Sequence, residues 1–252
     1  MSVRTVAVIQ ARMGSTRLPG KVLEPIGDRS LLAWTVDGVR AIPGLAAVVV
    51  ATTTETRDDQ LAEAAAALDV EVHRGPVQDV LTRCFEAVEP HRPDLVLRQT
   101  ADNPFPDPSI AADQVAALVD GELDYVGIAG WPIGIAAEVC RMDALSAAMR
   151  EATAAADREH VTPFLYSHAD RFRIGTLPRT APVPVGSERW RYTVDTPADL
   201  ELASALAARL GHGPPVSLDE LEAIMAAEPA LAGINAAVVQ KPWQVAQAAE
   251  GR

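Results

Sequence analysis

Between Val8 and Leu23 the chain runs IQARMGSTRLPGKVL, which packs Arg12, Arg17 and Lys21, with Gly14 and Gly20, into one short loop. Glycines let backbone N–H groups approach phosphate oxygens closely, and guanidinium and ammonium groups neutralise those oxygens. A merely solvated basic loop is the alternative; it is disfavoured because the chain is otherwise acidic and glycines lie among the charges. Two familiar phosphate motifs do not fit. A P-loop needs GxxxxGK followed by Ser or Thr, whereas Gly14 and Gly20 stand one residue too far apart and Val22 follows Lys21. The dinucleotide fingerprint GxGxxG is absent. The segment therefore reads as a phosphate loop of another kind.

A hard cation such as Mg²⁺ takes carboxylate oxygens, often only one or two from protein with phosphate and water supplying the rest. Asp102, after the apolar run LVLRQ, and Asp195, in VDTP, are placed for this. Both also have an ordinary reading, Asp102 as part of a proline-rich turn and Asp195 as a helix cap. Arg74, followed by Gly75, and Thr100 are candidates to meet a base or ribose, although an Arg-Gly pair also ends strands routinely. Asp107 and Asp199 read as helix caps, His160 as structural, and Cys84 and Cys140 as core. No Ser-His-Asp order or reactive-cysteine setting stands out.

The 22 basic and 34 acidic residues give a net charge of −12, a field that disfavours nucleic acid and acidic membranes as partners. A small anion remains compatible where positive charge is concentrated locally. Apolar residues at 48% suffice for a sizeable core and exclude a disordered chain. Without CxxC or paired-histidine spacing, neither a disulfide framework nor a zinc site is expected. The first apolar run is about six residues, too short for a signal peptide or a membrane span. A soluble, cytoplasmic protein is expected.

Strand and helix signals alternate. Strands are expected at 4–9, 46–52, 70–73 and 95–99, and helices from Ser30 to about Val39, from Asp58 to about 69, from Asp79 to Val88, and over 109–119. This βαβα pattern predicts a mainly parallel, twisted sheet flanked by helices. Later strands are expected at 124–129 and 136–142, as antiparallel additions, and near 172–177 and 190–194. Helices are expected over 143–155 and 158–168, from Thr196 to Leu210, and near 217–227. In a parallel α/β sheet, ligands bind outside the carboxyl ends of the strands, where the basic loop must lie.

The loop resembles the signature of the cytidylyltransferase superfamily that includes CMP-Kdo and CMP-acylneuraminate synthetases. It is most like the branch named after spore coat polysaccharide biosynthesis protein F. Further pieces match in order: VVVATT at 48–53, HRGPVQDVLTR at 73–83, REHVTPFLY at 158–166 and RYTVDTPADLEL at 191–202. The resemblance implies an α/β, GT-A-like (Rossmann-like) nucleotidyltransferase domain over 1–210, with a helical extension over 211–252 packed on it. It implies a Mg²⁺-dependent reaction in which an acceptor oxygen attacks the α-phosphorus of a nucleoside triphosphate, CTP favoured, and expels pyrophosphate. In this picture Arg12 and Lys21 are catalytic. Ala11, Arg12, Met13, Gly14, Arg17, Lys21, Arg74 and Thr100 contact nucleotide, Asp102 and Asp195 hold the metal, and Gly134 and Glu138 meet the acceptor. A homodimer is implied too.

The acceptor side departs from the branch. Its usual PRGLDVEVF reads PIGIAAEVC at 132–140, so that Ile133 replaces an arginine and Ala136 an aspartate. Losing a charged donor and a charged acceptor predicts a non-standard acceptor, smaller or less polar than a nonulosonic acid, such as a phosphonate or sugar-like intermediate. Two other readings stay open. One is a GT-A-type glycosyltransferase using a nucleotide sugar; the other is a nucleotide-binding module without catalysis. No residue selects cytosine over guanine or uracil.

Overall fold

The computed structural model describes residues 3–184, 186–187 and 190–239. In β1 (Thr5–Gln10), Val6 and Val8 pack into one hydrophobic cluster while Ala7 and Ile9 pack into another, all fully buried. A strand covered on both faces has no polar side to show, and that is why the segment is uninterruptedly apolar. The basic loop follows and ends in a single 3-10 turn, Lys21–Leu23. Next come a small hairpin of β2 (Pro25–Ile26) and β3 (Arg29–Ser30), and α1 (Leu31–Arg40), capped by the Ser30 hydroxyl on Ala33 N–H.

The chain continues through β4 (Leu45–Thr53), α2 (Asp59–Ala67), β5 (Glu71–Gly75), α3 (Val80–Val88), β6 (Leu95–Thr100) and α4 (Pro108–Asp120). It then forms β7 (Tyr125–Ala129), β8 (Glu138–Arg141), α5 (Met142–Glu151), α6 (Ala155–His160), α7 (Pro163–Ser167) and β9 (Ile174–Pro178). Helices α8 (Pro197–Leu210), α9 (Leu218–Ala227) and α10 (Leu231–Ile234) follow.

The sheet order is β5-β4-β1-β6-β8-β7-β9. β1 pairs in parallel with β4 on one side and β6 on the other, and β8 runs antiparallel to both β6 and β7. From β1 the chain winds outward to β5, then returns to lay β6 on β1's free side. The ends of β1 and β6 therefore bound the crevice where the winding reverses. Helices α3, α5 and α7 cover one face of the sheet, and α1, α2 and α4 cover the other. A third cluster joins Trp34 of α1 and Phe105 to Leu202 and Leu206 of α8, Leu221 of α9 and Leu231 of α10. Among the described residues no helix is long and apolar enough to cross a membrane. The expected 211–252 extension is described only to Val239, and the rest, with Lys241, lies outside the described residues.

Some sequence expectations are corrected. The helix expected over 143–155 stops at Glu151, and that over 158–168 divides into α6 and α7. The break falls at Val161, whose φ is +76°, and at Thr162, which precedes a proline and so resists continued helix. β7 does not run antiparallel to the parallel strands; it pairs in parallel with β9, and β8 alone is reversed. No strand forms at 190–194. Its backbone instead stitches two loops, with Tyr192 N–H on Ile133 O at 2.8 Å and Val194 N–H on Asp102 O at 2.7 Å. Asp58, where α2 was expected to begin, makes no capping hydrogen bond to it. Its buried carboxylate accepts from Met13 N–H at 2.7 Å and from the Thr53 hydroxyl, tying the basic loop to the end of β4.

Gly134 lies in that stitching. Its φ is +98°, and a Cβ there would stand 2.5 Å from Thr193 N and 2.7 Å from Tyr192 C, both backbone atoms. Gly134→Ala combines left-handed strain with a backbone clash. It should cost about 2–5 kcal/mol of stability, read as a lowered denaturation midpoint in urea.

Candidate active site

The loop's conformation follows from a few backbone bonds. Met13 O accepts from Ser15 N–H at 2.9 Å and from Gly20 N–H at 3.0 Å, closing the loop on itself. Gly20, with φ +74°, supplies the left-handed turn into Lys21–Leu23. That turn drives the Lys21 side chain inward, where it is 7% exposed. Its Nζ donates to Val194 O at 2.6 Å, Asp102 Oδ2 at 2.9 Å and Asp195 Oδ1 at 3.0 Å. Arg17 and Arg191 each reach the other oxygen of Asp195 at 2.9 Å.

Arg191 is in turn gripped by Asp199, at 2.7 and 2.8 Å. Asp199 also accepts from the backbone N–H groups of Asp195 and Thr196, at 3.0 and 2.9 Å, and completes the capping box of α8. The expected cap is therefore present, and it also orients the Asp195 turn. Burial alone would raise the Asp195 pKa, but the charges and hydrogen bonds of Lys21, Arg17 and Arg191 outweigh it and hold the group below its ordinary value of 3.8.

Arg17, Lys21, Asp102 and Asp195 line a cavity of about 370 Å³ at the ends of β1 and β6. Seven predicted site residues meet there: Ala11, Arg12, Arg17, Lys21, Thr100, Asp102 and Asp195. Arg12 is exposed and makes no hydrogen bond or ion pair with a described residue, so its guanidinium is available to a ligand. Met13 and Gly14 face an adjoining open hollow of about 670 Å³ with Thr56, Arg57 and Gln60, and the loop forms the wall between the two.

Three predicted residues lie elsewhere. Arg74 spends its guanidinium on Thr53 O and Glu55 O, at 2.8 and 2.9 Å, and on Asp59 at 2.7 Å. Gly134 is the packing glycine described above. Glu138, in β8, pairs with Arg98 and accepts from the Tyr125 hydroxyl at 2.8 Å and the Thr162 hydroxyl at 2.7 Å. Ile133 borders a different hollow, with Trp131 and Trp190, so the substitution there does not touch the cavity.

Sequence reasoning missed Gln10, Arg83, Glu159 and His160, all on the cavity wall. Arg83 and the pair Glu159-His160 sit in two of the motifs that carry the family resemblance, the only signal that could have found them. His160 therefore faces the site as well as its own helix. Arg83 is buried and donates to two backbone carbonyls, Pro76 O at 2.6 Å and Val77 O at 3.4 Å. Burial pulls its pKa below the usual arginine range, and the charge of Arg12 adds to the effect. Gln10 gives its amide oxygen to Arg98 Nε at 2.9 Å. Cys84 and Cys140 are core residues; burial raises both thiols, Cys140 to about 12.

Concentrated positive charge beside two carboxylates, at the switch point of a parallel sheet, defines a phosphate-handling α/β protein. The chain belongs to the cytidylyltransferase family, whose model matches residues 6–227. It is 36% identical over 227 residues to the spore coat polysaccharide biosynthesis protein SpsF of Bacillus subtilis, covering 88% of this chain and 94% of that one. A cytidylyltransferase structure from Leptospira borgpetersenii superposes with a TM-score of 0.84 at 26% identity, covering 91% of this chain and 97% of that one. CMP:2-keto-3-deoxy-manno-octonic acid synthetase complexed with CTP shares the fold, with a TM-score of 0.65 at 20% identity and coverage of 82% and 99%. The chain is an enzyme of the nucleotidyltransferase class.

The two aspartates differ in what they hold. The Asp195 side chain is 13% exposed and bonded to three cations, whereas that of Asp102 is 27% exposed and paired with Lys21 alone. Asp195→Asn should destabilise by on the order of 3 kcal/mol, and Asp102→Asn by about 1 kcal/mol or less. The stabilising contribution of Asp195 is full above the ordinary aspartate range and is lost as pH falls through its depressed folded value. Asp195→Asn should therefore also flatten the acid limb of a stability–pH curve; an unchanged limb would remove Asp195 as its source.

Proposed function

We propose that this chain transfers CMP from CTP to an acidic sugar-like or phosphonate acceptor and releases pyrophosphate, with Mg²⁺ as the metal. The observation that carries the reading is the convergence of Lys21, Arg17, Asp102 and Asp195 on the cavity between β1 and β6. In-line transfer at phosphorus asks mainly for alignment and charge neutralisation. Arg12, Arg17 and Lys21 supply cations for the triphosphate and the departing pyrophosphate, and Ala11 and Thr100 complete the wall beside them. Arg83 adds a buried cation suited to an anionic ligand. The acceptor class rests on Arg12 and Arg83 rather than on Ile133, Gly134 or Glu138.

Asp102 and Asp195 would hold the metal. Their oxygens already meet at one cation, Lys21 Nζ, and the donor chemistry is all oxygen, as a hard divalent ion requires. Among the described residues no group of three or more acidic, histidine or cysteine side chains forms a closed metal cage. Two carboxylates completed by phosphate oxygens and water match that count. A bound Mg²⁺ supplies phosphate charge neutralisation and polarises the phosphorus. A cytoplasmic homodimer belongs to the same reading, by the family's habit.

A pyrophosphate-release screen tests the proposal, offering CTP, GTP, UTP and ATP with Mg²⁺ against sugar acids, sugar phosphates and phosphonates. Release is expected with CTP and an anionic acceptor, and Asp102→Asn should lower turnover by about a hundredfold or more. Nucleotide binding with no release from any pairing would overturn the transferase reading in favour of a binding module.

A further inference from the structure

The Lys21 ammonium sits in a small oxygen cage. An ammonium has three N–H donors, and three acceptors meet it here: Val194 O at 2.6 Å, Asp102 Oδ2 at 2.9 Å and Asp195 Oδ1 at 3.0 Å. These acceptors come from the end of β6 and from the turn before α8, and two of them are carboxylates. Two carboxylates and a carbonyl aimed at one point form the ligand set of a hard cation. A lysine whose donors are all used in this way has none left for phosphate. Arg12, in the same cavity, makes no hydrogen bond or ion pair with a described residue. Lys21 therefore cannot hold both the carboxylates and a triphosphate in one position.

We infer that Lys21 is an internal counter-ion, occupying the cation position between Asp102 and Asp195 in the free protein and giving it up only when a triphosphate arrives as its alternative partner. The inference rests on the reading of Asp102 and Asp195 as the metal carboxylates. Its physical basis is that two partly buried carboxylates left facing each other would be strongly unfavourable, and an ammonium on a flexible stem relieves this reversibly. Arg17 and Arg191 hold the outer oxygen of Asp195 and keep the turn in place when Lys21 moves. Metal and nucleotide affinities are then coupled. Without nucleotide a divalent ion must displace a covalently tethered cation; with nucleotide that cation has somewhere else to go. By linkage, each ligand tightens the other by the same factor.

The test is a Mn²⁺ titration of the full chain, read by the electron paramagnetic resonance signal of free Mn²⁺, with and without α,β-methylene-CTP. For the native sequence the analogue should tighten Mn²⁺ binding about tenfold or more. Lys21→Met, which keeps the unbranched stem but removes the charged end, should bind Mn²⁺ without nucleotide about tenfold more tightly than the native chain and lose most of the response to the analogue. Equal Mn²⁺ affinity of the native chain with and without the analogue would overturn the inference, and this arm stands even if the variant fails to fold. A folded Lys21→Met variant that binds Mn²⁺ no better than the native chain would overturn it too. Asp102→Asn separates the two levels of the reading. If it leaves analogue-dependent Mn²⁺ binding unchanged, the metal assignment itself fails; if it abolishes that binding, the assignment stands and Lys21 is judged by the other arms.

Discussion

The arrangement turns on one carboxylate, Asp195, held between three cations. Lys21 approaches from the loop after β1, Arg17 from the middle of that loop, and Arg191 from four residues upstream, while Asp199 grips Arg191 and the backbone of the turn. Burying these charges is unfavourable unless each is paired and hydrogen-bonded. The cluster meets that condition by alternating sign from Lys21 through Asp195 and Arg191 to Asp199. Asn235, beside α10, adds a donor to Asp199 at 2.9 Å. Parts of the chain far apart in sequence are thereby tied to the same few ångströms as the basic loop.

The loop is held from its other side by a second buried carboxylate. Asp58 takes Met13 N–H and the Thr53 hydroxyl, and Ala11 N–H continues the strand pairing onto Ala51 O at 3.1 Å. A glycine-bearing loop anchored at both ends needs little further ordering when a ligand arrives, so less binding free energy is lost to entropy. The guanidinium of Arg12, which has no partner among the described residues, is the exception, and such a cation is suited to a ligand's charge.

Beneath the cavity, the network of Arg98, Glu138, Tyr125, Thr162 and Gln10 joins β6, β8 and β7 to the wall. Glu138 acts there as the counter-charge of a buried arginine, and burial with Glu138 nearby pushes the Tyr125 hydroxyl well above its usual range. Gln10, on the cavity wall, accepts from Arg98 Nε through its amide oxygen. The apolar replacement at Ile133 faces the hollow beside Trp131 and Trp190 instead. Ile133 thus lies away from the cavity between β1 and β6.

The alternation of strands and helices and the basic loop were legible in the chain because each is a local pattern. A doubly buried strand must be continuously apolar, and a loop for phosphate must combine cations with glycine. Asp195 and Asp102 could be nominated in the same way, since both end predicted strands. Tertiary structure decided the rest. It sent Lys21 onto the aspartates, made Asp58 an anchor of the basic loop, and placed Arg74 and Glu138 outside the cavity while bringing Arg83 and His160 in. Side-chain partners of this kind depend on which strands lie side by side, and a strand order of β1 next to β6 is set by packing over the whole sheet. Residues that meet only through that order leave no spacing in the sequence from which their contact could be read.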